Sequence, residues 1–380
     1  MEAYEELLSR LKDIDLISQI GGLISWDQEV LMPPKAAVLR AEQLAWISKT
    51  GHEKLTDQRI GVLISQLESE NGLDDVEMAN VRLARESYDR ATKLPTEFVE
   101  EMAKHRSRAQ ISWTEARASD DFSIFRDDLA KAVELARAKA DYLGYDVLRY
   151  DALLDLYETG LTVARVDPLF AGLRENVAPL IRAVMDRGRR PDISWIENNS
   201  WPQEAQEKLS HSVAEAIGFD FGAGRRDAST HPFCGGPNPD DVRWTTRYNE
   251  SDPFGSLYGS MHETGHGTYE QGRRRDLDFQ PAGQANGLGV HESQSRLWEN
   301  QVGRSREFCE WALPLWKECF PENLEGVGVE ELWQAVNLVE PSLIRVEADE
   351  ATYNLHIMIR YEIEKMLIGC LLYTSDAADE

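Results

Sequence analysis

Cysteine is scarce: the 380-residue chain holds 4, at positions 234, 309, 319 and 370, with no CxxC spacing. That excludes a disulfide framework and a thiolate metal site, and reads as the reduced thiols of an intracellular, cytoplasmic protein. The chain also lacks any run of about eighteen apolar residues, so no membrane-spanning helix is expected. Its first residues, MEAYEELLSRLKDIDLISQIGG, have neither the basic start nor the continuous apolar stretch of a secretory signal. Bases are outnumbered, 41 Lys and Arg against 67 Asp and Glu, for a net charge of −26. Such a balance repels phosphate backbones and anionic lipid, so neither nucleic acid nor a membrane surface is an expected partner. No internal repeat or low-complexity linker divides the chain.

What is present is helical periodicity. Leu7, Leu8, Leu11, Ile14, Ile17 and Ile20 recur at steps of three or four, the spacing of an amphipathic helix. The pattern breaks between Asp27 and the Pro33-Pro34 pair. Further helical blocks are expected over 36–55, 74–93, 95–118, 122–144, 167–188, 203–218, 256–272, 290–303 and 329–338, with a long last one over 341–369. Between about Gly222 and Asp252 the texture changes: Gly, Pro, Asp and Asn crowd around DVRWTTRY, whose alternation and β-branched or aromatic residues suit a strand. The expected fold class is mainly α, with one small antiparallel β element near residues 230–250. The last residues, 371–380 (LLYTSDAADE), do not continue the preceding pattern and read as an atypical tail.

The chemistry concentrates in His262-Glu263-Thr264-Gly265-His266. Residues four apart on a helix lie on one face about one turn apart, so both imidazoles can reach a single ion, and the Glu between them can act on a water there. Zinc suits two neutral nitrogens plus a carboxylate, and cobalt fits the same donors. His52-Glu53 and His291-Glu292 also begin HE, but neither has a His four residues on. Tyr269 and Gly272 stand where a metzincin needs Gly and its third His, which excludes that class. The third ligand is then Glu270, one turn past His266, or Glu292 or Glu299 on the next expected helix; spacing leaves the choice open.

The residues beyond this motif resemble the thermostable carboxypeptidase Taq type of metallocarboxypeptidases. The matching elements are His231-Pro232-Phe233, the DxRxT run from Asp241 through Arg243 to Thr245, the HExxH helix, His291-Glu292-Ser293-Gln294, and an IRxxAD run from Ile344 to Asp349. The N-terminal WDQEVLMPPKAAVLRAEQLA is similar as well. Five elements in order span nearly the whole chain. The resemblance implies Glu292 as third metal ligand, a helical gluzincin-like cleft fold, a homodimer, and removal of C-terminal residues from peptides. It also implies a GxxQDxHW element after IRxxAD. None follows, so the chain reads as cut short. A single helical domain is expected over 1–370, with lid-like N-terminal helices within 1–75 and the metal and substrate site within 222–370.

In that frame Glu263 is the general base and acid, and His231 a candidate donor to the tetrahedral oxyanion. A free C-terminal carboxylate calls for Arg, whose planar fork binds it bidentately. Arg345 and Arg243 are the candidates, with Asp241 placed to hold Arg243. Arg345 could instead pair with Glu347 or Asp349. Asp349 is a candidate to accept the outward N–H of a metal-bound histidine. His356 is expected in the core, and Trp244 and Trp298 as packing residues. Two rival functions share these residues: a metallo-endopeptidase of oligopeptidase type, and a truncated, inactive metal-binding protein.

Overall fold

The computed structural model describes residues 2–345 and 348–369. Val346, Glu347, Cys370 and the 371–380 tail lie outside them. An antiparallel run of long helices opens the chain: α1 (Glu2–Val30), α2 (Ala37–Leu55), α3 (Gln58–Glu68), α4 (Asp75–Thr92) and α5 (Thr96–Ser119). The Pro33-Pro34 pair ends the first of these, as its fixed φ and missing N–H require. Leu7 and Leu11 of α1 bury against Ile60, Leu63, Ile64 and Leu67 of α3 and Val81 of α4, so the expected apolar stripe is the one that packs. Then follow α6 (Arg126–Leu143), α7 (Arg149–Leu154), α8 (Val163–Arg187), α9 (Ser194–Glu197) and α10 (Gln203–Ile217).

A three-stranded sheet interrupts the helices: β1 (Gly224–Ala228), β2 (Cys234–Asn238) and β3 (Asp241–Thr246), in the order β1-β3-β2. β2 and β3 are antiparallel as expected, but β1 pairs parallel with β3 and starts earlier than the reading of 230–250 allowed. Alternation along β3 sends Val242 and Trp244, both 0% exposed, into the core and leaves Asp241 and Arg243 on the other face.

Helices resume with α11 (Pro253–Gln271), α12 (Leu288–Arg296), α13 (Arg306–Cys319), α14 (Val329–Val336) and α15 (Tyr353–Ile368). α11 lies at the centre. Leu257, Tyr258 and Met261 on its inner face pack with Trp201, Leu209, Phe308, Cys309 and Trp316 in the largest core cluster. Its start is fixed by Asp252, whose carboxylate accepts from Phe254 N (2.9 Å) and Gly255 N (3.2 Å), with Pro253 at the first helical position. The long terminal helix expected over 341–369 is a correction: among the described residues the α-helix begins only at Tyr353. Asp349 accepts from Ala351 N (2.8 Å), Thr352 N (3.0 Å) and Thr352 Oγ1 (2.6 Å), organising a turn ahead of it. No described helix is long and apolar enough to cross a membrane.

Candidate metal centre and substrate cleft

His262 and His266 project from one face of α11, their ring centroids 4.9 Å apart. Opposite them stands α12, brought close by Gly265. A methyl group at that position would lie 2.6 Å from Gln294 O and 2.7 Å from Ser295 Cα, so only glycine admits this approach. The approach delivers Glu292, whose Oε2 lies 3.2 Å from His266 Nε2 and 3.6 Å from His262 Nε2. Ligand atoms around a tetrahedral zinc with bonds near 2.0–2.1 Å are separated by about 3.3 Å, so this donor set fits one such ion. Among the described residues, these three form a group able to hold a metal. Of the three carboxylates that spacing left open, the structure brings Glu292 to both inner nitrogens.

The other two carboxylates stand on the outer sides of the histidines, Glu299 directly against His262 and Glu270 behind His266 by way of His291. α12 runs into a π-helical turn, Leu297–Val302, which swings Glu299 against His262, whose Nδ1 donates to Glu299 Oε2 (2.7 Å). His266 Nδ1 meets His291 Nδ1 at 2.5 Å, and His291 Nε2 meets Glu270 Oε1 at 2.7 Å. Asp349 is therefore not the acceptor expected from sequence, since its oxygens are engaged by the turn before α15. Arg296, which the sequence reading passed over, binds Glu292 (3.1 Å) and Glu299 (3.0 Å). The spacing Glu292, Arg296, Glu299 on one helix face was a usable signal.

Charges follow these contacts. Burial raises the Glu263 carboxyl, and although His262 opposes this, Glu292 and Glu299 add to it, giving about 7; the side chain is 5% exposed. Burial would also raise Glu292, but the hydrogen bond to His266 and the charges of His262 and Arg296 overcome it and hold it at about 2. Glu270 is lowered: burial opposes, and the His291 bond and Arg273 prevail. Burial lowers His266, keeping the imidazole neutral as a ligand requires.

A cleft of about 1890 Å³ runs beside this cluster, lined among others by Trp26, Lys139, His231, Arg243, Arg273 and Arg345. Such a volume exceeds that of a drug-sized pocket, about 300–1,000 Å³, and suits a peptide chain. His262, His266 and Glu292 are not among its lining residues. The wall meets the cluster through two side-chain chains. Arg273 donates to Glu270 (2.7 Å). Arg345 donates to Tyr353 Oη (2.6 Å), and the Arg296 guanidinium lies over the Tyr353 ring at 3.9 Å.

Asp241 grips Arg243 through both oxygens, at 2.7 and 2.9 Å, and Arg243 stacks on Trp26 at 4.9 Å. Thr245, the last residue of the same motif, pins the loop that carries His231: it accepts from Phe233 N (3.1 Å) and bonds Ser229 Oγ (2.6 Å), which in turn donates to His231 O (2.7 Å). His231 and Arg345 both line the cleft; the His231 ring is partly open to solvent, and its partial removal from water, followed by the Arg345 charge, lowers its pKa. Asp349 does not pair with Arg345 as one reading allowed, and Glu347 lies outside the described residues. His356 lines the cleft and is no core residue, whereas Trp244 packs against Phe219 as expected.

Two histidines and a carboxylate around one point, a buried glutamate beside them and a peptide-sized cleft define a divalent-metal peptide hydrolase. The comparisons with known proteins agree. Residues 6–379 match the family described as carboxypeptidase Taq (M32) metallopeptidase. Thermostable carboxypeptidase 1 of Thermus thermophilus is 41% identical over 96% of this chain and 74% of its own length. The BsuCP crystal structure superposes with a TM-score of 0.96 at 36% identity, over 99% of this chain and 76% of that one. An M32 carboxypeptidase from Deinococcus radiodurans R1 gives 0.90 at 37% identity, over 100% and 76%. The chain belongs to the M32 family of metallocarboxypeptidases.

Proposed function

We propose that the chain hydrolyses the C-terminal peptide bond of peptides with zinc held by His262, His266 and Glu292. What carries this reading is the convergence of both Nε2 atoms on one Glu292 oxygen, at 3.2 and 3.6 Å, beside a buried Glu263. These residues would hold a divalent ion, which would supply a water of pKa about 7 and polarisation of the scissile carbonyl. Cobalt fills the same role with the same donors.

The side chains do the rest. Glu263 takes the proton of the attacking water and returns it to the leaving amine nitrogen. His231, held by its loop and kept neutral, donates its N–H to the carbonyl oxygen as negative charge develops there. Arg345 receives the substrate's terminal carboxylate. Its place in the same cleft wall as His231, with which its charge is coupled, supports this, because that carboxylate lies one residue from the scissile carbonyl. Arg243, already gripped by Asp241, has a lesser share: it shapes the wall and adds positive potential.

The N-terminal helices serve as a lid, since α1 supplies Asp15, Trp26 and Glu29 to the cleft wall. Exposed apolar residues on α1 and α2, among them Ile20, Val38, Leu39 and Trp46, support a homodimer, which light scattering tests. The unpaired Cys234, Cys309 and Cys319 suit a cytoplasmic location. The functional reading is tested with an N-blocked peptide, free or amidated at its C-terminus, incubated with zinc- or cobalt-loaded protein and followed by mass spectrometry. Stepwise loss from the free C-terminus alone supports it. Internal cuts insensitive to amidation overturn it in favour of an endopeptidase.

A further inference from the structure

His291 stands next to Glu292 in sequence, and the two grip one imidazole from opposite sides. Glu292 faces His266 Nε2 at 3.2 Å, while His291 meets His266 Nδ1 at 2.5 Å. Successive residues on a helix point about 100° apart, which lets α12 place one on each side of the ring. The chain continues outward: His291 Nε2 to Glu270 Oε1 at 2.7 Å, and Glu270 Oε2 to Arg273 at 2.7 Å. All four side chains are largely buried, between 12% and 16% exposed.

Only one placement of protons satisfies every contact when His266 Nε2 keeps its lone pair for an ion. His266 Nδ1 then carries the hydrogen and donates to the bare His291 Nδ1. His291 Nε2–H donates to the Glu270 carboxylate, whose other oxygen accepts from Arg273. His262 needs one step to its carboxylate, Glu299, whereas His266 reaches Glu270 through a second imidazole. Tyr269 packs edge-on against the His291 ring at 4.8 Å, which fixes the plane of the relay.

We propose that His291 is a positioning residue of the metal centre, which sets the tautomer and ring plane of His266 and ties them to Glu270 and Arg273. The inference rests on His266 being a metal ligand. Partners of this kind set ligand orientation and basicity, and their loss weakens metal binding by about 10–100-fold.

The test is zinc affinity of the metal-stripped protein, measured against a chromophoric chelator, with the visible absorption of the cobalt form as a second readout. His291→Phe keeps a ring and loses both bonds; it should weaken zinc binding by about 10–100-fold and change the cobalt spectrum. In His291→Gln the amide oxygen can accept from His266 and its nitrogen can donate to Glu270, so affinity should return to within about threefold of wild type. Glu270→Gln should give an intermediate loss, and it decides the matter should His291→Phe not fold. Wild-type affinity and spectrum in His291→Phe, or a His291→Gln as weak as His291→Phe, would overturn the proposal. His266→Gln separates the two levels: weak binding there with none lost in His291→Phe sinks the relay alone, and unchanged binding there sinks the ligand assignment too.

Discussion

Gly265 and Ser295 meet so closely that a Cβ on Gly265 would lie 2.7 Å from Ser295 Cα. This contact between α11 and α12 sets how far Glu292 stands from the two histidines. Gly265→Ala should therefore push the helices apart, despite the better helix propensity of alanine, worth about 1 kcal/mol. Overpacking of this kind costs about 1–3 kcal/mol. The expected result is a lower unfolding midpoint and weaker zinc binding together; a stabilised variant with intact zinc affinity would show that α12 moves freely.

Zinc added to the metal-free protein should raise its thermal midpoint, because an ion that binds only the folded chain stabilises it. The gain is about 2.7 kcal/mol when free metal is 100 times its dissociation constant. Glu292→Ala should abolish most of that shift, while Glu270→Ala should lower it less. Equal shifts in wild type and Glu292→Ala would remove Glu292 from the ligand set.

His231 and Arg345 are coupled by charge. Partial removal from water in the cleft wall is the larger cause of the lowered His231 pKa and the Arg345 guanidinium the next. Arg345→Gln removes a positive neighbour that disfavours the imidazolium, so the His231 pKa should rise toward 6.5 in an NMR titration. In wild type the ring stays neutral as pH falls until below its ordinary value; in the variant it protonates sooner. No movement would place the two side chains apart. The same variant should narrow the preference for free over amidated peptides, through KM more than kcat.

Thr245→Val tests the loop that carries His231. It removes the hydroxyl that bonds Phe233 N and Ser229 while keeping the shape of the side chain. Each lost bond to these half-buried partners costs about 0.5–1.5 kcal/mol. A fall in kcat with metal affinity unchanged is expected; loss of metal affinity instead would mean that the loop supports the metal centre and not His231.

Much of this was legible in the residues. Period alone marked α2, α4, α5, α10 and α11, and alternation marked β3. HExxH on a helix places two imidazoles together by geometry. α13 went unseen although Phe308, Cys309, Ala312 and Trp316 form its buried stripe, because Pro314 sits inside it and disguises the pattern. The last helix was read too long because Asp349 looks like a helix-surface acid, and only the turn it organises shows otherwise. Spacing could not separate Glu292 from Glu299, since both lie on the segment after α11. The π-helical turn decides, by rotating Glu299 to the far nitrogen of His262, and no residue type announces such a turn. The partners of the histidines were missed for a related reason: His291 and Glu270 come together only when α11 and α12 pack.

The most direct test of the central claim separates metal binding from turnover at adjacent residues. Glu263→Gln, loaded with zinc, should bind one ion per chain with near wild-type affinity and lose about 10²–10⁴-fold in kcat on a free peptide. His262→Gln should lose the ion itself. A Glu263→Gln variant that retains full activity would contradict the account, because the buried glutamate beside the metal centre would then have no part in the reaction.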